Sequence, residues 1–137
     1  MDDRVRQARV ARLATVRPDG APHVVPVTFA VVDATTVVTA VDGKPKRTRD
    51  LQRLRNLAAD PRVSLLVDGW SEDWSALWWV RLDGTATVLD EHAGARQALV
   101  TKYAQYAAAP PAGPFVVVAV TAVRSWSGGR QPGHDPS

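Results

Sequence analysis

The residues best suited to chemistry form one basic segment in the first half of the chain. Between positions 44 and 55 a single acid, Asp50, stands among six cations: Lys44, Lys46, Arg47, Arg49, Arg53 and Arg55. The segment leaves a strand at Asp42-Gly43 and enters a helix, where free N–H groups and clustered cations favour a phosphate or a carboxylate. Thr48 could cap that helix or donate its hydroxyl to the anion. The sequence therefore predicts an anion site here; the alternative is a solvated basic face.

Charge outside this segment argues for one local site. The whole chain of 137 residues carries a net charge of only +3, so the remainder is slightly acidic. A nucleic-acid surface would need a broader basic face or aromatic residues interleaved with the cations, and the segment contains no aromatic residue. We therefore expect a small-molecule anion and no nucleic-acid partner.

Tryptophans are the second unusual feature. Four of the five fall within ten residues, at Trp70, Trp74, Trp78 and Trp79. Such a cluster predicts a stacking wall or a subunit interface. Trp78 and Trp79 face opposite sides of a predicted strand, so at least one of them could equally be a core residue.

No side-chain set typical of a catalytic or metal centre is evident in the sequence. The three histidines, His23, His92 and His134, lie far apart, and there is no cysteine and no nucleophile elbow. We predict no metal site and can assign no catalytic residue. The lack of cysteine and of a long apolar run favours a cytoplasmic protein without a membrane segment.

The elements that must position these residues are mostly strands. Alternating apolar residues predict six strands, over 11–16, 23–32, 35–41, 62–68, 77–89 and 115–123. Helices are predicted over 2–9, from Leu51 to just before Asp60-Pro61, and over 91–106. Hairpins precede the first long helix, and no G-x-G-x-x-G follows a strand. We predict one domain over 1–126, a mostly β, antiparallel barrel with flanking helices, and a disordered tail over 127–137.

The strand predicted over 23–32 has one face of small side chains. Val24, Pro26, Thr28 and Ala30 share that face, which would let a flat ligand lie against the backbone. The alternative is a strand buried on both sides. Pro26 cannot donate to a ladder, so it predicts a sheet edge or a bulge.

Several motifs together resemble one known family. They are Lys44-Pro-Lys-Arg-Thr, Leu54-Arg-Asn-Leu, Asp60-Pro-Arg-Val-Ser-Leu-Leu-Val-Asp, Glu72-Asp-Trp-Ser-Ala-Leu-Trp-Trp-Val-Arg and, in the first hairpin, Asp19-Gly-Ala-Pro-His. From about Ala11 to Val123 the chain resembles the pyridoxamine 5′-phosphate oxidase-like split-barrel family. It is most similar to the branch of deazaflavin-dependent oxidoreductases that use coenzyme F420.

The resemblance implies a six-stranded antiparallel split barrel and a homodimer with two cofactor sites at the subunit interface. The cofactor's phosphate and anionic tail would meet Lys44, Lys46, Arg47, Thr48 and Arg53. Its ring system would lie against His23, Val27, Thr28, Phe29, Thr39 and Ala40. Trp78 and Trp79 would come from the same or the partner chain. Many relatives have a lysine where this chain has Arg53 and Leu54, so the cation that meets the phosphate stays open.

The resulting hypothesis is an oxidoreductase that transfers a hydride between coenzyme F420 and a small organic substrate. In such an enzyme the cofactor carries the chemistry, which agrees with the absence of an evident catalytic set. Two alternatives stay open. One is an FMN-dependent oxidoreductase of the same fold, and the other is a non-catalytic protein that binds flavin, deazaflavin or heme.

Overall fold

The computed structural model describes residues 1–41 and 51–129. Its helices span Asp3–Gln7 (α1), Gln52–Ala59 (α2), Ala93–Lys102 (α3) and Ala104–Ala108 (α4). Its strands span Ala11–Val16 (β1), Pro22–Val27 (β2), Ala30–Asp33 (β3), Thr36–Ala40 (β4), Arg62–Gly69 (β5), Trp78–Leu89 (β6) and Phe115–Ser127 (β7). A turn of 3-10 helix at Trp74–Ala76 precedes β6. No helix of this part of the chain is long and apolar enough to cross a membrane.

All seven strands form one antiparallel sheet, in the order β2-β1-β5-β6-β7-β4-β3. The two strands at the ends of this order, β2 and β3, follow each other in the chain and are separated only by Thr28 and Phe29. β2 pairs with β1, where Val27 lies opposite Ala11, and β3 pairs with β4, where Ala30 lies opposite Val38. One continuous segment therefore joins both ends of the sheet and closes it into a barrel.

Alternation along the strands fills the barrel interior with apolar side chains. The inward residues include Leu13, Phe29, Leu65, Leu82 and Val116, all fully buried. A second, smaller core lies on the outer side of β3 and β4. There Ala95 and Leu99 of α3 pack on a surface formed by three strands, with Ala30, Val38, Ala40 and Phe115 as its buried members. Helix α3 therefore covers the part of the barrel that contains the junction between β2 and β3.

Two glycines serve identifiable turns or close contacts. Gly20 has φ of 89° and ends the turn between β1 and β2, where its N–H donates to the carbonyl of Arg17. At Gly84 the pairing of β6 with β7 shifts register, and a Cβ atom there would collide with the carbonyl oxygen of Ala119. The strand predicted over 77–89 thus contains a β-bulge at Asp83-Gly84.

The predicted mostly β, antiparallel fold with flanking helices is confirmed, but two elements were predicted as continuous and are not. The strand over 23–32 breaks at Thr28-Phe29, so seven strands replace the predicted six. The helix over 91–106 breaks at Tyr103, whose φ of −115° and ψ of 124° are extended. The last strand also runs beyond Val123, to Ser127. Pro26 lies on a strand that has only β1 as its neighbour in the described sheet, which confirms the predicted edge.

Candidate functional site

A cleft of about 240 Å³ lies beside the junction between β2 and β3, and we call it the break cleft. It is lined by Val10, Pro26, Val27, Thr28, Thr39, Ala40 and Arg53. Five of these, Val27, Thr28, Thr39, Ala40 and Arg53, are candidate site residues from the sequence. They come from three separate stretches of the chain, and the barrel closure brings them together.

The break exists because side-chain hydroxyls replace the missing ladder bonds. Thr39 is buried, and its Oγ1 donates to the carbonyl oxygen of Thr28 at 2.6 Å. The hydroxyl of Tyr103 accepts from the N–H of Phe29 at 3.1 Å. That hydroxyl also lies 2.9 Å from the carbonyl oxygen of Arg9 and 3.0 Å from that of Phe29, and its proton can serve one of them at a time. These bonds satisfy backbone groups that would otherwise be buried and unpaired.

Helix α4 supplies a second tyrosine to the same place. Tyr106 Oη lies 3.0 Å from Thr28 Oγ1. The rings of Tyr103 and Tyr106 meet edge to face, with their centroids 5.6 Å apart. Burial raises the pKa of Tyr103, so its hydroxyl stays protonated at neutral pH. The break in the predicted helix thus aims both phenols at the break in the predicted strand.

Lys102 lies next to Tyr103 and the β2–β3 junction. Its Nζ is 3.8 Å from the centroid of the Phe29 ring, has no hydrogen-bond acceptor among the described residues and is shielded from water. Burial, and then the positive charge of Arg9, lower the pKa of this amine to about 8. The favourable contact of the ammonium group is therefore with aromatic faces.

Arg53 reaches the break cleft from the first turn of α2, and a buried polar chain fixes that helix to the barrel. Asn56 is fully buried, and its Nδ2 donates to Thr15 Oγ1 of β1 at 2.9 Å. Its Oδ1 accepts from Gln52 Nε2 at 2.6 Å. Arg55 donates to Gln52 Oε1 at 2.7 Å. The helix that carries Arg53 is thus held to β1 by hydrogen bonds that water cannot easily replace.

His23 does not line the break cleft. It stands on β2 opposite Thr15 of β1, and its Nδ1 is buried without a hydrogen-bond partner in the described part of the chain. Burial lowers the pKa of this imidazole, and the charges of Arg17 and Arg53 lower it further. The neutral imidazole is therefore favoured. One of the two charges that act on it, Arg53, also lines the break cleft.

Apart from Trp79, the remaining predicted residues fall into three groups. Phe29 contributes its backbone to the break, but its ring is buried in the barrel core. Trp78 lies at another cleft, beneath the guanidinium of Arg4 at 4.7 Å from its ring centroid. Lys44, Lys46, Arg47 and Thr48 lie outside the described residues, and their predicted contacts stay predictions.

Trp79 belongs to a third cleft, of about 400 Å³, on the outer surface of the sheet, which we call the outer cleft. It is lined by Arg12, Ala14, Val24, Ser64, Leu66, Trp79 and Arg81. Val24 and Leu66 are 59% and 38% exposed although both are large and apolar. Exposed large apolar side chains that stand beside arginines are typical of a protein interface. Within one chain, neither Trp78 nor Trp79 lines the break cleft.

Sequence reasoning did not identify Val10 or the two tyrosine hydroxyls as parts of this region. The signal for the tyrosines was a polar phenol recurring on an otherwise aliphatic helical stripe with Ala95 and Leu99. Among the described residues no group of histidine and acidic side chains is suited to a metal ion.

Comparison with known families gives one match over nearly the whole chain. The family model described as pyridoxamine 5′-phosphate oxidase matches residues 1–127. No curated protein sequence matches the chain.

Solved structures share the fold at modest identity. A conserved hypothetical protein from Mycobacterium tuberculosis is 25% identical, with a TM-score of 0.69 over 91% of this chain and 81% of that one. A heme-binding protein from Mycobacterium smegmatis is 27% identical, with a TM-score of 0.63 over 89% of this chain and 50% of that one. An F420 reductase is 23% identical, with a TM-score of 0.61 over 88% of this chain and 93% of that one.

Proposed function

Because the chain belongs to the pyridoxamine 5′-phosphate oxidase family, we propose that it binds coenzyme F420 and transfers a hydride between this cofactor and a small organic substrate. The single observation that carries the proposal is the composition of the break cleft. It combines a cation, Arg53, with several small apolar side chains and two threonines, Thr28 and Thr39. A flat, anionic cofactor requires both features. The likeness to an F420 reductase supports deazaflavin as the first candidate.

The residues of the break cleft fit parts of such a cofactor. Val27 and Ala40 give an apolar surface on which a ring system can lie without meeting a bulky side chain. Arg53 offers a fork of N–H donors that suits a phosphate or a carboxylate. Arg53 also stands eight residues or fewer from Lys46, Arg47 and Thr48 in sequence, so the basic segment could extend the anion site.

The size of the break cleft points to a shared site. About 240 Å³ is below the roughly 300–1,000 Å³ that pockets use to enclose a drug-sized ligand. This size supports a site of which one chain forms only part. We propose that a second copy of the chain completes the site and that the outer cleft is the surface through which the copies associate. Exposed Val24 and Leu66 beside Trp79 supply the apolar centre that a stable interface needs.

When bound, a deazaflavin supplies the ring carbon that accepts or donates the hydride. The chain's own residues would bind, orient and shield it. The buried side chains of Val27 and Thr39 exclude water from the inner end of the cleft. The hydroxyl of Thr39 is already committed to the Thr28 carbonyl, so Thr28 is the hydroxyl available to the cofactor.

Titration of the purified protein with coenzyme F420, FMN and heme, followed by absorbance and tryptophan fluorescence, tests the assignment. We expect F420 to bind most tightly and to raise the melting temperature. If FMN or heme binds and F420 does not, the cofactor assignment is wrong.

A second candidate is a non-catalytic carrier of heme, flavin or deazaflavin, which the likeness to a heme-binding protein favours. Turnover separates the two functions. An oxidoreductase oxidises reduced F420 in the presence of an organic acceptor faster than the cofactor reacts without protein. A protein that binds the cofactor but leaves that rate unchanged is a carrier.

A further inference from the structure

Tyr103, at the break between α3 and α4, and Tyr106, in α4, are unusual because both of their hydroxyls are directed to the two residues between β2 and β3. Tyr103 contacts the N–H and lies near the carbonyl of Phe29, and Tyr106 contacts the hydroxyl of Thr28. Tyr103 interrupts its helix to do so, since its extended backbone separates α3 from α4. A helical break costs hydrogen bonds, and here the phenols give hydrogen bonds to the β2–β3 junction in return.

The relative acidity of the two hydroxyls favours one direction for the hydrogen bond between Tyr106 and Thr28. Either hydroxyl can donate across the 3.0 Å that separates them. A phenol, with a pKa of about 10, is the more acidic group and hence the better donor. When Tyr106 donates to Thr28 Oγ1, the Thr28 proton is released from this contact. Thr28 lines the break cleft, so its hydroxyl can then donate to a ligand there.

We propose that Tyr106 and Tyr103 are positioning residues for the cofactor, with separate tasks. Tyr106 orients the Thr28 hydroxyl so that it donates into the break cleft. Tyr103 fixes the backbone of Phe29 and so keeps the β2–β3 junction in place against Thr39. This inference rests on the proposed cofactor site. It specifies that the Thr28 hydroxyl is the group of the break cleft that donates a hydrogen bond to an acceptor of the cofactor.

The two tasks give different signatures in a double-mutant cycle. Thr28→Val removes the hydroxyl and is expected to weaken F420 binding about fivefold, the worth of one neutral hydrogen bond of about 1 kcal/mol. Tyr106→Phe should weaken binding and shift the absorbance maximum of the bound cofactor. In the Thr28→Val background, Tyr106→Phe should change neither property. Tyr103→Phe should weaken binding by a similar factor in both backgrounds, because it acts through the backbone.

Amide hydrogen exchange of the cofactor-free protein tests the backbone task directly. Tyr103→Phe should speed exchange at the N–H of Phe29. The matched control is Thr101→Val, which removes the bond from Gln97 Nε2 to Thr101 Oγ1, also 3.1 Å long but exposed and made entirely within α3, with no atom of the break as a partner. It should leave exchange at Phe29 and cofactor affinity unchanged.

Three outcomes would overturn the inference. The first is an undiminished effect of Tyr106→Phe in the Thr28→Val background. The second is unchanged affinity in Thr28→Val, and the third is unchanged exchange at Phe29 in Tyr103→Phe. If the wild-type protein binds none of the cofactors, the proposed function fails, and so does the cofactor-positioning task of Tyr106. The exchange measurement then still decides whether Tyr103 holds the break.

Discussion

Residues of β1 and β2, or residues next to these strands, line both the break cleft and the outer cleft. The two clefts differ in how far one chain buries their apolar side chains and pairs their backbone groups. Around the break cleft, Val27, Thr39 and Ala40 are buried, and hydroxyl groups of the same chain satisfy the broken backbone. Around the outer cleft, Val24 and Leu66 leave apolar surface exposed. One chain alone forms the break cleft. The apolar surface of the outer cleft would contribute free energy only when another molecule buries it. A site for a cofactor and a site for a second copy would differ in this way.

The largest expected effect is on the outer cleft. Leu66→Lys would place a third positive charge between Arg12 and Arg81, which lie opposite Leu66 on β1 and β6, in the middle of the proposed interface. Two-fold symmetry would introduce this charge twice. We expect association to weaken roughly 100-fold or more, because an unpaired buried charge costs several kcal/mol. Sedimentation velocity over a concentration series measures this.

Val88→Lys is the matched control, because Val88 is 37% exposed and Leu66 38%, and Val88 does not line the outer cleft. If the wild-type chain sediments as a monomer at all concentrations, the proposed dimer is wrong. Equal weakening by both substitutions would mean that the outer cleft is not the contact surface.

The next effect concerns the cation of the break cleft. Arg53→Gln should weaken F420 binding roughly 10- to 100-fold, since a hydrogen bond to a charged group is worth about 1.5–3 kcal/mol. Arg55→Gln, two residues along the same helix, should leave affinity within a factor of about two, as expected for a small surface effect. Isothermal titration measures both. Similar losses in the two variants would indicate general attraction by the basic segment instead of a contact at Arg53.

A smaller effect tests how firmly the break cleft is pre-formed. Thr39→Val keeps the shape of the side chain but leaves the Thr28 carbonyl without its donor. We expect the free energy of unfolding to fall by about 1–2 kcal/mol, the cost of a buried acceptor left unpaired. Urea denaturation measures it. A variant as stable as the wild type would show that the hydrogen bond from Thr39 to the Thr28 carbonyl does not stabilise the break cleft.

The smallest expected effect is a pH dependence of stability that comes from Lys102, next to the Phe29 ring. The pKa of Lys102 falls from 10.5 unfolded to about 8 folded, so the unfolded chain binds more protons between these values. Stability should therefore rise as the pH increases from about 8 to 10.5, and the penalty is fully present below pH 8. Lys102→Met keeps the contact with the Phe29 ring and should lose this pH dependence. Melting temperatures at pH 7.5 and 9.5 compare the two proteins, and parallel curves would contradict the assignment.

The regular strands could be predicted because their signal is local. β1 was predicted with its observed bounds, and β5 differs from its prediction by one residue, since alternation of buried and exposed residues defines them. The break at Thr28-Phe29 could not be predicted, because alternation continues through it: Val27 and Phe29 are both buried. Neither residue is a glycine or a proline. What breaks the strand is a set of hydroxyl bonds from residues far along the chain.

The candidate site shows the same division. Arg53, Thr39 and Ala40 were predicted through a family resemblance, and the structure brings them together with Val27 and Thr28. Tyr103 and Tyr106 fall within the single helix predicted over 91–106, and their contacts at the break were not predicted. A helical period describes which side a residue faces but not whether the helix stops to redirect it.

The register of β4 has a consequence for how the protein is made. Thr39 and Ala40, two walls of the break cleft, lie opposite Val116 and Phe115 near the other end of the chain. A ribosome must therefore synthesise β7 before these walls have their ladder partners, and pairing across such a long loop is slow. Cofactor capture during synthesis should begin only after β7 emerges, so a chain truncated before Phe115 should not retain the cofactor.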